Sequence, residues 1–577
     1  MFFNIFRRYK INVKQETGGT WKNWSENIWY DGPANYIKYP KTEEELRAIL
    51  QDASDRGITV RAAGQKHSQP PQIVPDNRAR GCCWLPLPRC CKPLTQYVID
   101  MSFYKDIPAE ENNADGEIIV RMKVLSRNNL EKDAVVAVNA GTREDEFDSY
   151  VTGENLALQT VTAGGIFSLG GMTSNDVHGG SIRRGIFADT CEGFSIMTWD
   201  GTIIEIHEDD PVREDGFKPI QFARVNLGLL GIVTRVYVKC DFRPVKQSLE
   251  GRMSFITTSL RQEFVDQFLD FVTHDRLEVF FDPYKGGFLS LMWDLTDQYD
   301  DVGTQNEPRP PKDDTEEHAL KNHYGAKLNG LLFTWSNENF APIQNLIQCS
   351  FADVQLKPSP ELASKALALA MSNIATLQVN SAFQAYSETW LQNATQAMFM
   401  SYFVELPDLG RAGLKLTYEL LQVVTDRVTM NQNFHIAGPM EFRFVKAGNS
   451  VMSGTYCEDS EEEKWFVNLD LIGFISFCKC QKDPNNYPHK LLQFMADVER
   501  EWYNAGGFPH QGKMYGFFDP NGEEGNATPP FNENLIAAIN NRRDERAPGA
   551  RQAFNTYRRE LDPNNMFLNE YMGLLIA

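Results

Sequence analysis

Six glycines fall between Thr160 and Gly180, in the stretch TVTAGGIFSLGGMTSNDVHGG. A segment this rich in glycine is a loop built for close backbone approach, not a regular helix or strand. Ser168, Thr173, Ser174 and Asn175 stand among the glycines and add hydroxyl and amide groups. That make-up suits a phosphate-bearing cofactor, whose oxygens take N–H and O–H donors. The stretch lacks G-x-G-x-x-G, so it gives no support to the dinucleotide fingerprint of a doubly wound sheet. The competing reading is a tightly packed structural loop, and the length of the segment favours the cofactor.

The rest of the chain sets the frame for that loop. Its 577 residues suggest two to four domains. A net charge of −20 argues against a general nucleic-acid binder, which needs a basic face. No stretch approaches the roughly 18–20 apolar residues of a membrane span, and the basic start MFFNIFRRYKINVKQ has no apolar core of signal-peptide length. The expectation is a soluble cytoplasmic protein with no integral membrane segment and no nucleic-acid partner. Cys82-Cys83, Cys90-Cys91 and Cys478-Lys479-Cys480 lack the spacing of a zinc site, so no metal is expected. Asn23, Asn393 and Asn526 begin glycosylation patterns that carry little weight without a secretory signal.

Short strands with a few helices fill residues 1–245. Thr42 before Glu43-Glu44-Glu45 predicts a capped helix ending at Gly57, followed by a strand from Ile58. Strands are expected at Tyr97–Asp100, Ile118–Met122, Ala134–Asn139 and Ile232–Lys239. A helix opens at Gly141-Thr142, and a hairpin joins Phe194–Thr198 to Ile203–Ile206 through Trp199-Asp200-Gly201. From 246 to 515 longer helices (Leu362–Met371, Leu414–Val424) alternate with strands (Val279–Phe281, Phe288–Trp293), which reads as a second α+β unit. Asp297–Glu317 and Cys457–Glu463 read as acidic surface loops, and the tail from Phe531 as helical.

Three further elements carry chemistry. Gly64-Gln65-Lys66-His67-Ser68 follows a strand and holds a histidine on a turn; alone, that is more often polar surface. In Met440-Glu441-Phe442-Arg443-Phe444-Val445, strand alternation puts Glu441 and Arg443 on one face and both phenylalanines on the other. The bland reading of that pair is an ion pair at a sheet surface. Gly507-Phe508-Pro509-His510-Gln511-Gly512-Lys513-Met514 mimics a P-loop, but Met514 stands where magnesium needs a hydroxyl and a helix precedes it. An NTPase is excluded on both counts, leaving a histidine and a lysine on a turn.

In order, these elements resemble the flavin-dependent oxidases of the vanillyl-alcohol oxidase and p-cresol methylhydroxylase (PCMH) superfamily, most of all the alditol oxidase and aldonolactone oxidase branch. The likeness runs from Asn23-Trp24 and Tyr39-Pro40-Lys41-Thr42 through both loops, Asn226-Leu227-Gly228-Leu229-Leu230-Gly231-Ile232-Val233-Thr234, the Glu-x-Arg pair and the Pro-His-x-Gly-Lys turn. It ends at Asp562-Pro563 and Phe567-Leu568-Asn569. The resemblance implies an α+β fold: a PCMH-type FAD-binding domain of two α+β subdomains (1–245), an α+β substrate or cap domain with a large antiparallel sheet (246–515), and a C-terminal segment (516–577) returning to the first. It implies FAD joined covalently through His67, with Gly64, Gln65, Lys66 and Ser68 beside it. Ser168, Gly171, Met172, Thr173, Ser174, Asn175, His178 and Ile232 would complete the cofactor site.

By the same resemblance Lys513, Arg443 and Glu441 are catalytic, and Asn468, Asp470 and His510 bind substrate. The implied activity is hydride transfer from a CH–OH group of a sugar-like or bulkier alcohol to FAD, with O2 as acceptor and hydrogen peroxide as product. The chain departs from the pattern at several places. Asn468 and Asp470 replace a His-x-Thr pair, Gln511 a tryptophan and Met172 a small polar residue. Thr162 falls near a position that gates oxygen. The alternatives are therefore a dehydrogenase using a quinone or protein acceptor, a sterol-type alcohol oxidase, or a flavin-binding protein without turnover.

Overall fold

The structure, a computed structural model, describes residues 21–30, 33–74, 96–104, 111–112, 118–119, 122–162, 164–242, 248–296, 350–380, 397–431, 433–458, 463–475, 483–523 and 525–577. The paired cysteines at 82–83, 90–91 and 478–480, the loop at 297–317 and part of the loop at 457–463 lie outside the described residues.

A small hairpin, β1 (Trp21–Lys22) and β2 (Trp29–Tyr30), precedes a three-stranded parallel sheet. Its strands are β3 (Ile37–Lys38), β4 (Thr59–Ala63) and β5 (Gln96–Asp100), in the order β3-β5-β4. The crossover helix α1 (Glu43–Arg56) starts and stops as the sequence predicts. Thr42 Oγ1 accepts from the Glu45 N–H at 3.2 Å, and Gly57 closes the helix with φ +61°. Leu46, Leu50 and Ala53 bury the inner stripe.

After the short pair β6 (Glu111–Asn112) and β7 (Ile118–Ile119) comes an antiparallel sheet. It contains β8 (Met122–Asn128), β9 (Asp133–Asn139), β10 (Leu156–Leu158), β11 (Cys191–Met197), β12 (Ile203–His207) and β13 (Ile232–Phe242). The order is β12-β11-β13-β9-β8, with β10 on one end of β13. The expected hairpin forms between β11 and β12. Helix α2 (Glu144–Gly153) begins after the predicted Gly141-Thr142, because Glu146 caps the Arg143 N–H at 3.1 Å. The short helices α3 (Leu169–Thr173) and α4 (Pro219–Ala223) lie in the connections.

The third sheet has seven antiparallel strands: β14 (Ser248–Thr257), β15 (Arg276–Asp282), β16 (Gly287–Thr296), β17 (Met398–Leu406), β18 (Met440–Lys446), β19 (Trp465–Gly473) and β20 (Phe508–Pro509). They follow the order β14-β16-β15-β18-β19-β17-β20. Period-2 alternation gives the sheet two different faces. Val279, Phe281, Met400, Tyr402, Phe442, Phe444, Leu469 and Leu471 point to the back. There they meet α5 (Arg261–Phe271), α7 (Arg411–Met430) and α8 (His489–Asn504) through Phe264, Phe268, Leu421, Val424 and Phe494.

The front face carries a charged centre beside an apolar flank. Phe255, Leu289, Phe280, Phe399 and Ile472 form the flank with Leu367 and Met371 of α6 (Pro360–Asn380). The last helices, α9 (Glu533–Arg546), α10 (Ala550–Leu561) and α11 (Glu570–Ile576), bring the chain back to the N-terminal sheet. Met566 O accepts from the Val60 N–H at 2.7 Å, and Asn569 Nδ2 donates to Pro71 O and Gln72 O, both at 3.1 Å. Among the described residues no helix is long and apolar enough to cross a membrane.

Candidate active site

A cleft of about 1460 Å³, partly open to solvent, runs between the first two sheets and the front of the third. Gly64, Gln65, Lys66, His67 and Ser68 line it, as do Ser168, Gly171, Met172, Ser174, Asn175, His178 and Ile232. Glu441, Arg443, Asp470, His510 and Lys513 line it as well. Six segments separated widely in sequence thus line one cleft. Two expected residues are not among its lining: Thr173, packed within α3, and Asn468, which shares the front face of the large sheet with Arg443.

The glycine loop is close-packed where it meets its neighbours. A Cβ on Gly64 would sit 1.7 Å from Ser168 Oγ, and one on Gly179 1.7 Å from Val161 O. The polar side chains expected to face a ligand as donors are largely turned inward. Thr173 Oγ1 donates to Leu169 O at 3.0 Å and Ser174 Oγ to Gly170 O at 2.7 Å. Asn175 Nδ2 donates to Gly171 O at 3.2 Å. A short helix satisfies these donors locally, which the glycine spacing did not reveal.

His67 stands between Trp24, stacked at 5.2 Å, and Phe167, edge-on at 4.7 Å. Burial, reinforced by the positive Lys513 and Arg143, pushes its imidazole down to about 3, so the ring is neutral. Lys66, at φ +65°, turns its amine to the buried Asp100 at 2.9 Å, which fixes the turn that presents His67.

The front face of the large sheet builds the charged end. Cross-strand register sets Phe280 against Glu441, Glu441 against Asp470, and Asp470 against Ser401. The next row pairs Arg443 with Asn468 and Asn468 with Phe403. Arg443 Nη2 bonds both Glu441, at 2.5 Å, and Glu278 of β15. The sequence alternative of a surface ion pair is corrected here, since all three side chains are buried. Burial pushes Glu441 well above the usual carboxylate range. Arg443 opposes that rise, while Glu278 and Asp470 add to it.

Burial likewise lowers the Lys513 ammonium, with Asp470 and Glu441 pulling it back up, and its Nζ sits 4.1 Å from the centre of the Phe399 ring. His510 stacks on Phe403 at 5.7 Å and accepts the Gly512 N–H at Nδ1. His178 lies 5.9 Å from it, and burial beside Arg443 lowers it to about 3.

Sequence reasoning missed several of these groups. Glu278 shared the alternation of β15 with Phe280 and was legible as a front-face residue. Gln72 had no local signal: its Nε2 bridges Asn175 Oδ1 at 2.9 Å and Gln511 O at 2.6 Å, tying the glycine loop to the lysine turn. Arg61 donates to Gln72 O, Gly228 O, Phe567 O and Leu227 O. All four acceptors are neutral carbonyls, and this buried guanidinium, with Asp562 as the charge acting on it, lines the cleft.

The length of the cleft, its glycine wall, the aromatic pair around His67 and that positive charge fit a flavin dinucleotide. Together the fold and the cleft suit an FAD-binding protein. The family described as FAD binding domain matches residues 108–207, and the family described as D-arabinono-1,4-lactone oxidase matches 413–574. Solvent-stable cholesterol oxidase superposes over 97% of both chains with a TM-score of 0.67 at 15% identity. L-gulonolactone oxidase of Scyliorhinus torazame is 24% identical over 272 residues, 46% of this chain and 51% of the relative. D-arabinono-1,4-lactone oxidase of Candida albicans is 20% identical over 435 residues, 74% of this chain and 65% of the relative. The chain thus spans about half the length of the shark relative it matches. Its likeness is thus to FAD-binding domains over residues 108–207 and to D-arabinono-1,4-lactone oxidase over residues 413–574.

Proposed function

We propose that the protein is an FAD-dependent oxidoreductase taking hydride from a CH–OH group of a sugar-like alcohol or lactone, with O2 as the acceptor. The observation that carries this is the convergence of Lys513, Arg443, Glu441 and Asp470 on the end of the cleft where His67 stands. Bound FAD would supply the two-electron acceptor. Lys513 and Arg443 set a positive field where negative charge grows on the substrate oxygen as its proton leaves. Glu441 and Glu278 hold the guanidinium in place, and the aromatic flank excludes water from the reacting carbon.

His67 would hold the flavin covalently. Its neutral ring offers a nitrogen lone pair to an electrophilic carbon, which a protonated imidazole cannot do. The division into residues 1–245, 246–515 and 516–577, and a cytoplasmic location, remain part of this proposal.

The test is anaerobic mixing of purified holoprotein with L-gulono-1,4-lactone, D-arabinono-1,4-lactone, xylitol and cholesterol while the flavin absorbance is followed. Bleaching by one of the first three supports the reading. Bleaching by cholesterol alone moves the substrate to sterols, and no bleaching by any of them overturns the reading.

A further inference from the structure

We propose that Asp470, through Oδ1, is the group that takes the hydroxyl proton of the substrate. This rests on the oxidoreductase reading above and assigns one step within it.

The argument starts from the strand register. Asp470 sits at the centre of the front face, opposite Glu441 on one side and Ser401 on the other. The residue is 7% exposed, and it lines the cleft. Oδ1 is buried with no hydrogen-bond partner. Leaving a carboxylate oxygen unpaired costs about 1–3 kcal/mol or more, so the fold keeps this one open for a donor that arrives with a ligand.

The other carboxylates of the cluster are differently placed. Glu441 and Glu278 both hold Arg443. Asp470 instead has its orientation set by a hydroxyl. Asn468 Nδ2 donates to Ser401 Oγ at 3.0 Å, which leaves the Ser401 hydroxyl hydrogen for Asp470. That relay accounts for Asn468, which the sequence placed against the substrate.

Burial raises the Asp470 carboxyl above its usual range, while Lys513, the Ser401 bond and Arg443 hold it down. A carboxylate more basic than usual, with one oxygen open to the cleft, is placed to accept a proton. The charged groups facing it are Glu441 from β18, Arg443 from β18 and Lys513 from the turn after β20. The step balances: the O–H bond breaks and its proton goes to Oδ1. The oxygen pair forms C=O as the C–H bond gives up hydride to the oxidised flavin.

The experiment compares wild type with Asp470→Asn, and with Glu441→Gln as the alternative base. Each is mixed anaerobically with the member of the four-compound panel that bleaches wild type fastest. In Asp470→Asn we expect bleaching to slow at least about 100-fold, the scale of general-base catalysis. Dithionite reduction and the resting flavin spectrum stay unchanged. Wild type gains the infrared stretch of a protonated carboxylic acid on reduction by substrate, and Asp470→Asn does not.

If Asp470→Asn fails to fold, Ser401→Ala serves. Its acid limb for bleaching should move to higher pH, because a bond to the ionised form is lost. Equal bleaching in Asp470→Asn and wild type, persistence of the infrared band in Asp470→Asn, or an unmoved acid limb in Ser401→Ala overturns the assignment while leaving the oxidoreductase reading intact. No bleaching of wild type by any of the four compounds overturns both.

Discussion

Glu441 and Asp470 stand directly opposite each other on neighbouring strands, both buried. Two carboxylates in that position repel each other unless cations sit between or beside them. Arg443 answers Glu441 at 2.5 Å, and the Lys513 charge acts on both carboxylates. The sheet therefore concentrates charge where a reaction that separates charge needs it, at the cost of local stability.

Removing the lysine tests that arrangement. Lys513→Met keeps the bulk of the side chain and its contact with Phe399 while deleting the charge. We expect kcat/KM to fall about 100- to 1,000-fold, the cost of losing one oxyanion-stabilising group, with FAD content unchanged. Steady-state kinetics with the flavin quantified by absorbance decide it.

The His67 linkage has a simple test. Acid precipitation should leave the yellow colour with wild-type protein and release it to the supernatant from His67→Ala. Colour in the supernatant from both proteins would remove the covalent bond and keep the cofactor.

Activity should be bell-shaped in pH. Burial raises the Glu441 and Asp470 carboxyls, so the acid limb lies above the ordinary carboxylate range. Burial lowers the Lys513 ammonium, so the alkaline limb lies below that of an ordinary lysine. In the rate of flavin bleaching against pH, Lys513→Met should lose the alkaline limb and keep the acid one.

Glu144 makes a stability prediction. Its buried carboxylate accepts from the Thr162 N–H at 2.7 Å and from the Thr162 hydroxyl, and burial raises it to about 8. The unfolded carboxyl ionises near 4.5, so between there and about pH 8 the folded state binds more protons and stability falls as pH rises. Glu144→Gln removes that slope. Relative to wild type it should gain about 2–4 kcal/mol between about pH 5 and pH 8 in urea unfolding followed by fluorescence.

Gln72→Ala leaves Asn175 Oδ1 and Gln511 O without their shared donor, at about 1–3 kcal/mol for the buried groups. Made in the His67→Ala background, it should weaken FAD binding about 10- to 100-fold by fluorescence titration.

The readings that held were local ones. Thr42 and Gly57 fix α1 because caps act within one turn. Glu441 and Arg443 face away from Phe442 and Phe444 because side chains alternate along any strand. The glycines of 160–180 marked a loop at the cleft because only glycine tolerates approaches such as those seen at Gly170 and Gly179. Thr173 and Asn468 fell outside this reach: spacing gave their positions but not the carbonyl and hydroxyl that occupy them.

The sequence by itself determined which residues carry charge, which faces they take on each strand and where the chain must turn. Only the tertiary structure decided that β18 lies between β15 and β19. That order brings Glu278, Glu441 and Asp470 onto one surface and sets Lys513 beside them. The physical reason is range. Alternation and capping are set by neighbours a few residues apart, whereas strand order and the Gln72 bridge depend on burying apolar faces hundreds of residues apart in the chain.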